Sequence, residues 1–397
     1  MTPEVVIYTT PPQGLIKLLS RSHPLLTLPL VRRLQFASRF PGGITEHAKI
    51  LWCSGGSLNG HHYAAPDAPV DRDDGEGVDA EAGNEVNAER GENGENGEEE
   101  VPFAAAYLDF SRGPETELWI YSSMEARLAR TKAEAEDRED EDADAERGEM
   151  ACIIALLRQV KRLQDLYFLP GSPEAAEREF PTILVGNLNE AVRERLVAAG
   201  LEIISTGLYD KWVFETDRLP DVGLPEVLGS SEGPGEGKRW GWDVVRKEDI
   251  LFTISRTKIP RRERTMKLLP STALYLDDGT PIAWAFLGNC FSFPTGPKLS
   301  TRMGNGKLIV LRCLGPDSSL SSLHCEPLYR GRGIAKAVAV RVLKDHLRDY
   351  GEDARYGWAD VAPDNLQSQG VCRSLNGQVK WQISWSRLNL DQSFPDE

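Results

Sequence analysis

No pair of cysteines in this chain has the spacing of a metal site or a redox motif. Cys53, Cys152, Cys290, Cys313, Cys325 and Cys372 stand singly, with no C-x-x-C, and the six histidines include no H-x-x-x-H. A disulfide frame and a zinc centre are both disfavoured by this pattern, which points to reduced thiols and no metal. Long hydrophobic runs are missing as well. The apolar stretch 24–31 is far too short to span a bilayer, and no membrane role is expected. Met1-Thr2-Pro3-Glu4 lacks the basic start of a secretory signal, and Pro11-Pro12 interrupts the chain soon after, so the expected compartment is the cytoplasm, or the nucleus. The nucleotide loop G-x-x-x-x-G-K-[ST] is absent: Gly306-Lys307 is followed by Leu308, and Thr301 stands where the first glycine is required. Basic residues are dispersed and acidic tracts would repel phosphate, which argues against a nucleic-acid partner.

What is present is enough chain, 397 residues with 40% hydrophobic, for two or three domains. The net charge of −15 is local in origin. Residues 67–100 hold fourteen acidic side chains against two basic, and residues 125–149 eleven against five. These two tracts carry −18, leaving the remainder near +3. The first, with its repeated Gly-Glu-Asn, has too little apolar surface to order itself; a tail for a basic partner is the alternative. The second has the composition of a charged helix and is grouped with the first as a disordered acidic insertion. Residues 220–239, rich in Gly, Pro, Ser and Glu, form an interdomain linker. The expected division is therefore 1–219, a linker at 220–239, and 240–397.

Residues 5–9, 49–53, 103–110 and 117–121 read as strands. Residues 15–36 read as a helix interrupted near Pro24 and Pro29, and 150–167 as an apolar-striped helix. A strand–helix–strand unit over 181–219 is then echoed over 357–388. Asn189 and Asn365 open the two helices, and Lys211-Trp212 precedes Arg218-Leu219 at the spacing by which Lys380-Trp381 precedes Arg387-Leu388. A diverged duplication explains the echo; chance similarity of two small units is the alternative. In the second part, 242–245 reads as a strand, 249–256 and 261–269 as helices, and 273–287 as a hairpin turning at Asp277-Asp278-Gly279-Thr280. Residues 288–315 interrupt the run to the next strand, with 307–313 a candidate extra strand. Residues 345–353 read as a polar connection, and Val379, Trp381, Ile383 and Trp385 alternate with polar residues as a half-buried strand.

The chain is organised around residues 323–347, LHCEPLYRGRGIAKAVAVRVLKDHL. A period of two gives way, across Pro327 and a glycine turn, to a helical period: Ile334, Val338 and Val342 on one stripe, Ala335, Ala339, Leu343 and Leu347 beside it. A strand entering a helix through a glycine turn aims free N–H groups and the positive end of the helix dipole at one spot, an anion site that suits phosphate. The dinucleotide pattern G-x-G-x-x-G/A fits Gly331 and Gly333 but meets Lys336, without a surrounding βαβ unit. The pattern R/Q-x-x-G-x-G/A fits Arg330, Gly331, Arg332, Gly333, Ile334 and Ala335 at every position.

That hexapeptide in its setting resembles the acyl-CoA pyrophosphate loop of the GNAT superfamily of N-acyltransferases. Residues 240–397 are similar to a domain of its glycine N-acyltransferase-like branch, through Gly279-Thr280-Pro281 to Trp284, through 323–335, and through Asn365 to Gly377 with the closing Trp strand. The resemblance implies an α/β fold, a mixed and splayed sheet flanked by helices, in two tandem halves of which the first is diverged and non-binding. It implies acyl transfer from acetyl-CoA or another acyl-CoA to a small amine or amino acid by direct attack. Arg330 to Ala335 would hold the pyrophosphate, Leu323 and Cys325 would pair with the pantetheine arm, and Asn365 would help to hold that arm. His324 and Glu326 are candidate bases. Where the family often has a tyrosine acid, seven residues after the asparagine, this chain has Cys372. A catalytically inactive acyl-CoA-binding or scaffold protein is the competing reading. The acceptor, the acyl chain and the oligomeric state are not encoded in any motif.

Overall fold

The computed structural model describes residues 3–55, 101–113, 115–134, 139–178, 180–225, 227–228, 238–257, 263–288 and 317–395. The first half contains β1 (Val5–Tyr8), α1 (Gln13–Ser22), α2 (Leu28–Arg39), β2 (Lys49–Ser54), β3 (Phe103–Leu108) and β4 (Leu118–Ser122). It continues with α3 (Met124–Glu134), α4 (Glu139–Tyr167), α5 (Pro173–Glu177), β5 (Ile183–Asn189), α6 (Glu190–Ala198) and β6 (Ile203–Glu215). The second half begins with the two-residue β7 (Val227–Leu228), then β8 (Lys238–Asp243), α7 (Ile250–Ser255), α8 (Glu263–Met266), β9 (Ser271–Leu276) and β10 (Pro281–Leu287). Next come β11 (Leu320–Cys325), α9 (Ile334–Tyr350), β12 (Tyr356–Val361), α10 (Leu366–Ser374), β13 (Gln378–Leu388) and α11 (Leu390–Ser393).

Alternation decides the layers of the first half. Ile50, Trp52, Ala105, Tyr107, Trp119 and Tyr121 point toward α1 and α2, whereas Leu51, Cys53, Ala104, Ala106, Leu118 and Ile120 meet α4 and α6. Eight strands form one sheet in the order β1-β2-β3-β4-β5-β13-β6-β12, and five form another, β11-β10-β9-β8-β7. Among the described strands only β4 and β5 pair in parallel, through Leu118 with Val185 and Trp119 with Gly186. They are splayed beyond those two pairs. The fold is thus α/β, mixed and splayed, with two halves of like construction.

The echoed units are β5–α6–β6 and β12–α10–β13, and each gives its last strand to a shared centre. The C-terminal β13 lies between β5 and β6, and β6 lies between β13 and β12. Val379 faces Trp212 and Trp381 faces Lys211, so the two Lys-Trp dipeptides lie opposite each other in one antiparallel ladder. The two halves are further joined where the Arg32 guanidinium of α2 donates to the Asp353 carbonyl beyond α9. There Phe36 and Phe40 also pack on Tyr350, with ring centroids 6.0 and 5.1 Å apart.

Several expectations change. Residues 125–134 and 139–149 are helical, belonging to α3 and α4, rather than a disordered insertion. Buried Arg127 pins this region by bonding Glu149 at 2.8 Å and Glu146 at 3.2 Å. The interruption expected near Pro24 and Pro29 is present between Ser22 and Leu28, with Pro29 in the first turn of α2, where its missing N–H has no partner to lose. The strand expected at 242–245 begins at Lys238, drawn out by pairing with β9 from Trp240 and with β7 at Lys238 and Arg239, and α9 continues to Tyr350, where the tyrosine hydroxyl donates to the Leu287 carbonyl at 2.8 Å. β13 is half-buried only at its start: Ser384 and Ser386 are as enclosed as Ile383, because this strand is central in the sheet. Helix α8 is much shorter than expected. The acidic tract 67–100 and the candidate strand at 307–313 lie outside the described residues. No described helix is long and apolar enough to cross a membrane.

Candidate functional site

Among the described strands, β11 is held on one side only. It pairs with β10 through Ala283–Cys325 and Trp284–His324, slips register, and resumes at Phe286–Ser321. The slip is a bulge, and Ser322 takes φ 49° there, a left-handed conformation costly for a residue with a Cβ. Its other edge faces a gap: β11 borders the five-stranded sheet, β12 borders the eight-stranded one, and the chain passes between them through α9. An extended ligand can pair with the backbone of such an edge.

After Cys325 the Glu326 N–H donates to the Ile282 carbonyl at 2.8 Å, the last bond of the ladder. Pro327 has no N–H to continue it and opens a 3₁₀ turn, Pro327–Tyr329. Gly331 and Gly333 both take φ 76°, and a Cβ at either would meet nothing within 4 Å. Glycine is therefore required by conformation rather than by crowding. Gly333 is the N-cap of α9 and brings no capping side chain, and the first turn has no acidic residue. The first-turn N–H groups, beginning with Ile334 and Ala335, are left for a ligand. Arg330 secures the turn by donating from Nε to the Cys325 carbonyl at 2.9 Å, and half-buried Arg332 lies beside it.

The two faces of β11 do different work. Leu323 and Cys325 pack with Ile334 and Val338 in the core under α9, and burial pushes the Cys325 thiol up to about 11. On the opposite face His324 stacks on Trp284, with centroids 4.6 Å apart and planes at 20°, and Phe252 of α7 meets Trp284 edge-on at 5.7 Å. Glu326 Oε1 accepts from Arg256 Nε at 2.8 Å and lies 3.5 Å from His324 Nε2, the outer limit of a hydrogen bond. His324 Nε2 is buried and otherwise unpartnered. Burial lowers the His324 pKa; the Glu326 carboxylate opposes that shift, while Arg330 and Arg256 add to it.

The remaining candidates stand apart. Asn365 caps α10, its side chain accepting from the Ser368 N–H at 3.1 Å, at the end of β12. Cys372 is 3% exposed, in the core with Trp212, Phe214 and Val361. Burial and then the nearby Asp360 push its thiol up to about 12. No hydrogen bond or ion pair among the described residues links it to His324, Glu326 or the glycine turn. Sequence reasoning did not single out Arg256, whose role depends on a contact seventy positions away. It also missed the buried pair Lys211–Asp360, 2.5 Å apart across β6 and β12, whose partners come from different halves. Among the described residues no group of three or more His, Cys, Asp or Glu is placed to hold a metal ion.

The corresponding place in the first half is built differently. β4 enters α3 through Ser123 alone, without a glycine turn. Glu125, in the first turn of α3, accepts from Asn189 Nδ2 at 3.3 Å, while Asn189 Oδ1 caps α6. Burial pushes the Glu125 carboxyl up to about 8. A carboxyl thus stands at a helix start where the second half presents open N–H groups. An open groove in this half is lined by Pro3, Met150, Ile154, Arg158, Arg195 and neighbouring residues of α4 and α6.

Comparison with curated proteins finds no match. Among solved structures, a tandem GNAT protein from the clavulanic acid biosynthesis pathway aligns over 97% of this chain and 97% of its own, at 10% identity and TM-score 0.42. A GCN5-related N-acetyltransferase from Kribbella flavida aligns over 59% of this chain and 75% of its own, at 13% identity and TM-score 0.33. A Drosophila protein covers 72% and 74%, at 14% identity and TM-score 0.40. At the level of sequence families, residues 2–214, more than half of the chain, match the acyl-CoA N-acyltransferase verG N-terminal domain. The chain belongs to that acyl-CoA N-acyltransferase family.

Proposed function

We propose that this chain transfers an acyl group from acetyl-CoA or another acyl-CoA to a small amine or amino acid, as in the glycine N-acyltransferase-like branch of the GNAT superfamily, and that it does so at the turn after β11. The observation that carries this reading is the uncapped start of α9, behind two left-handed glycines and beside an open strand edge. The N–H groups from Arg330 to Ala335 take the pyrophosphate, and the free edge at Leu323 and Cys325 takes the pantetheine arm, with Asn365 at the far side of the gap. The first half, with Glu125 against Asn189, serves as a non-binding partner. The setting is the cytoplasm or nucleus.

In the reaction an acceptor ammonium gives a proton to a base on the β11 face that carries His324 and Glu326. The amine lone pair attacks the thioester carbonyl carbon, whose oxygen gains charge near a backbone N–H at Cys325. The C–N bond forms, the C–S bond breaks, and the electron pair leaves with the CoA sulfur. The second amine proton ends on that sulfur, and the base returns its own to water. Cys325, with its thiol held protonated at neutral pH, is no nucleophile, which agrees with direct attack. One observation favours the alternative of an inactive acyl-CoA-binding or scaffold protein: the buried thiol of Cys372 offers no accessible acid to the leaving group. Thiol release from acetyl-CoA and longer acyl-CoAs, measured across a panel of amines and amino acids, separates the two. Amine-dependent release is expected; acyl-CoA binding without release from any pair would establish the inactive binder.

A further inference from the structure

We infer that Arg256 is a positioning residue: by holding Glu326 in a charged hydrogen bond, it leaves the Nε2 atom of His324 as the proton acceptor of the site. The inference rests on the acyl-transfer reading above and decides between two groups that share one face of β11.

Glu326 has two neighbours on the same oxygen. Arg256 Nε approaches Oε1 at 2.8 Å, while His324 Nε2 stands at 3.5 Å from it. A guanidinium at normal bonding distance takes up Oε1 in a charged hydrogen bond and holds the carboxylate in place. Arg256 is itself oriented, its guanidinium lying over the Phe252 ring at 4.7 Å. Phe252 in turn meets Trp284, and Trp284 stacks on His324. One run of contacts from α7 through β10 to β11 thereby fixes both the carboxylate and the plane of the imidazole. His324 Nε2 has no partner at normal bonding distance, on a side chain that keeps 17% of its surface exposed. The charged groups facing the ring are Glu326 on its own strand, Arg330 in the turn and Arg256 from α7. Burial and the two cations favour the neutral ring, and the Glu326 carboxylate opposes them, so removing either kind of neighbour has a defined sign.

The test uses the full chain and two readouts. Histidine proton NMR, with His324 assigned by His324→Asn, follows the titration of the ring without substrate. The pH dependence of kcat, at saturating acyl-CoA and amine, follows the base in the working complex. Arg256→Gln removes a cation, so both midpoints should rise by roughly half a pH unit or more; Arg256→Lys, which keeps the charge, should stay near wild type. Glu326→Gln removes an anion, so both midpoints should fall and the acid limb should remain. His324→Asn should erase the acid limb and lower kcat by roughly 100-fold. Loss of the acid limb in Glu326→Gln with its retention in His324→Asn would make Glu326 the base and overturn the inference. So would unmoved midpoints in Arg256→Gln. An inactive wild type whose His324 still titrates would instead defeat the acyl-transfer reading on which the inference stands.

Discussion

Cys372 shows how far a single residue can be read before its surroundings are known. Its distance from Asn365 suits a proton donor, but spacing along a helix does not say which side of the helix meets solvent. Here the thiol lies among Trp212, Phe214, Val361 and Leu375, with burial and Asp360 pushing its pKa up to about 12. A thiol so placed acts as a small apolar side chain. Cys372→Ala should cost about 1 kcal/mol of stability in urea unfolding, through lost packing, and leave kcat within about twofold of wild type. A kcat lowered by roughly 100-fold at unchanged stability would restore the thiol as the acid. Lys211 and Asp360 were hidden for a related reason. Nothing local marks a lysine in a strand as fully enclosed; its enclosure comes from strand exchange, which brings β12 alongside β6.

At the scale of elements, more was legible. The change from a period of two to a helical period across Pro327 and the glycines is local information, and β11, the turn and α9 lie where it placed them. The hairpin of β9 and β10 was readable from Asp277-Asp278-Gly279-Thr280 for the same reason. The start of α3 was not, because charge density there resembles that of unstructured tracts while the helix is fixed by tertiary contacts of Arg127 and Glu125. Glu125 also gives this element a pH dependence. Its folded pKa is raised to about 8, well above the carboxyl range of an unfolded chain. Between those values the native state holds a proton that the unfolded state has released, so its contribution to stability is present at low pH and lost as pH rises toward 8. Glu125→Gln should therefore match wild type near pH 5 and exceed it near pH 8 by on the order of 2 kcal/mol in urea unfolding. A Gln variant that loses stability relative to wild type as pH rises would contradict the buried, protonated carboxyl.

At the scale of the whole molecule, the echo of 181–219 in 357–388 announced two like units, and residue spacing could go no further. That β6 and β13 exchange places is a matter of long-range pairing between strands about 170 residues apart, for which local periodicity carries no signal. The exchange has a mechanical consequence: each half completes its sheet with the other's last strand. Residues 238–397 expressed alone should show neither cooperative urea unfolding nor a native-like far-UV circular dichroism spectrum, and should recover both when refolded with residues 1–225. Cooperative unfolding of 238–397 alone at the full-chain midpoint would show that the shared ladder is dispensable. The family match over residues 2–214 and the glycine turn at 330–333 fall in different halves, so one half identifies the family while the other carries the proposed site. Calorimetric titration of the full chain with acetyl-CoA and with free CoA tests that division most directly. Micromolar binding of both by wild type, abolished in Gly333→Pro while the fold is retained, is the predicted result. No binding to wild type, or equal binding by a folded Gly333→Pro variant, would contradict an acyl-CoA site at this turn.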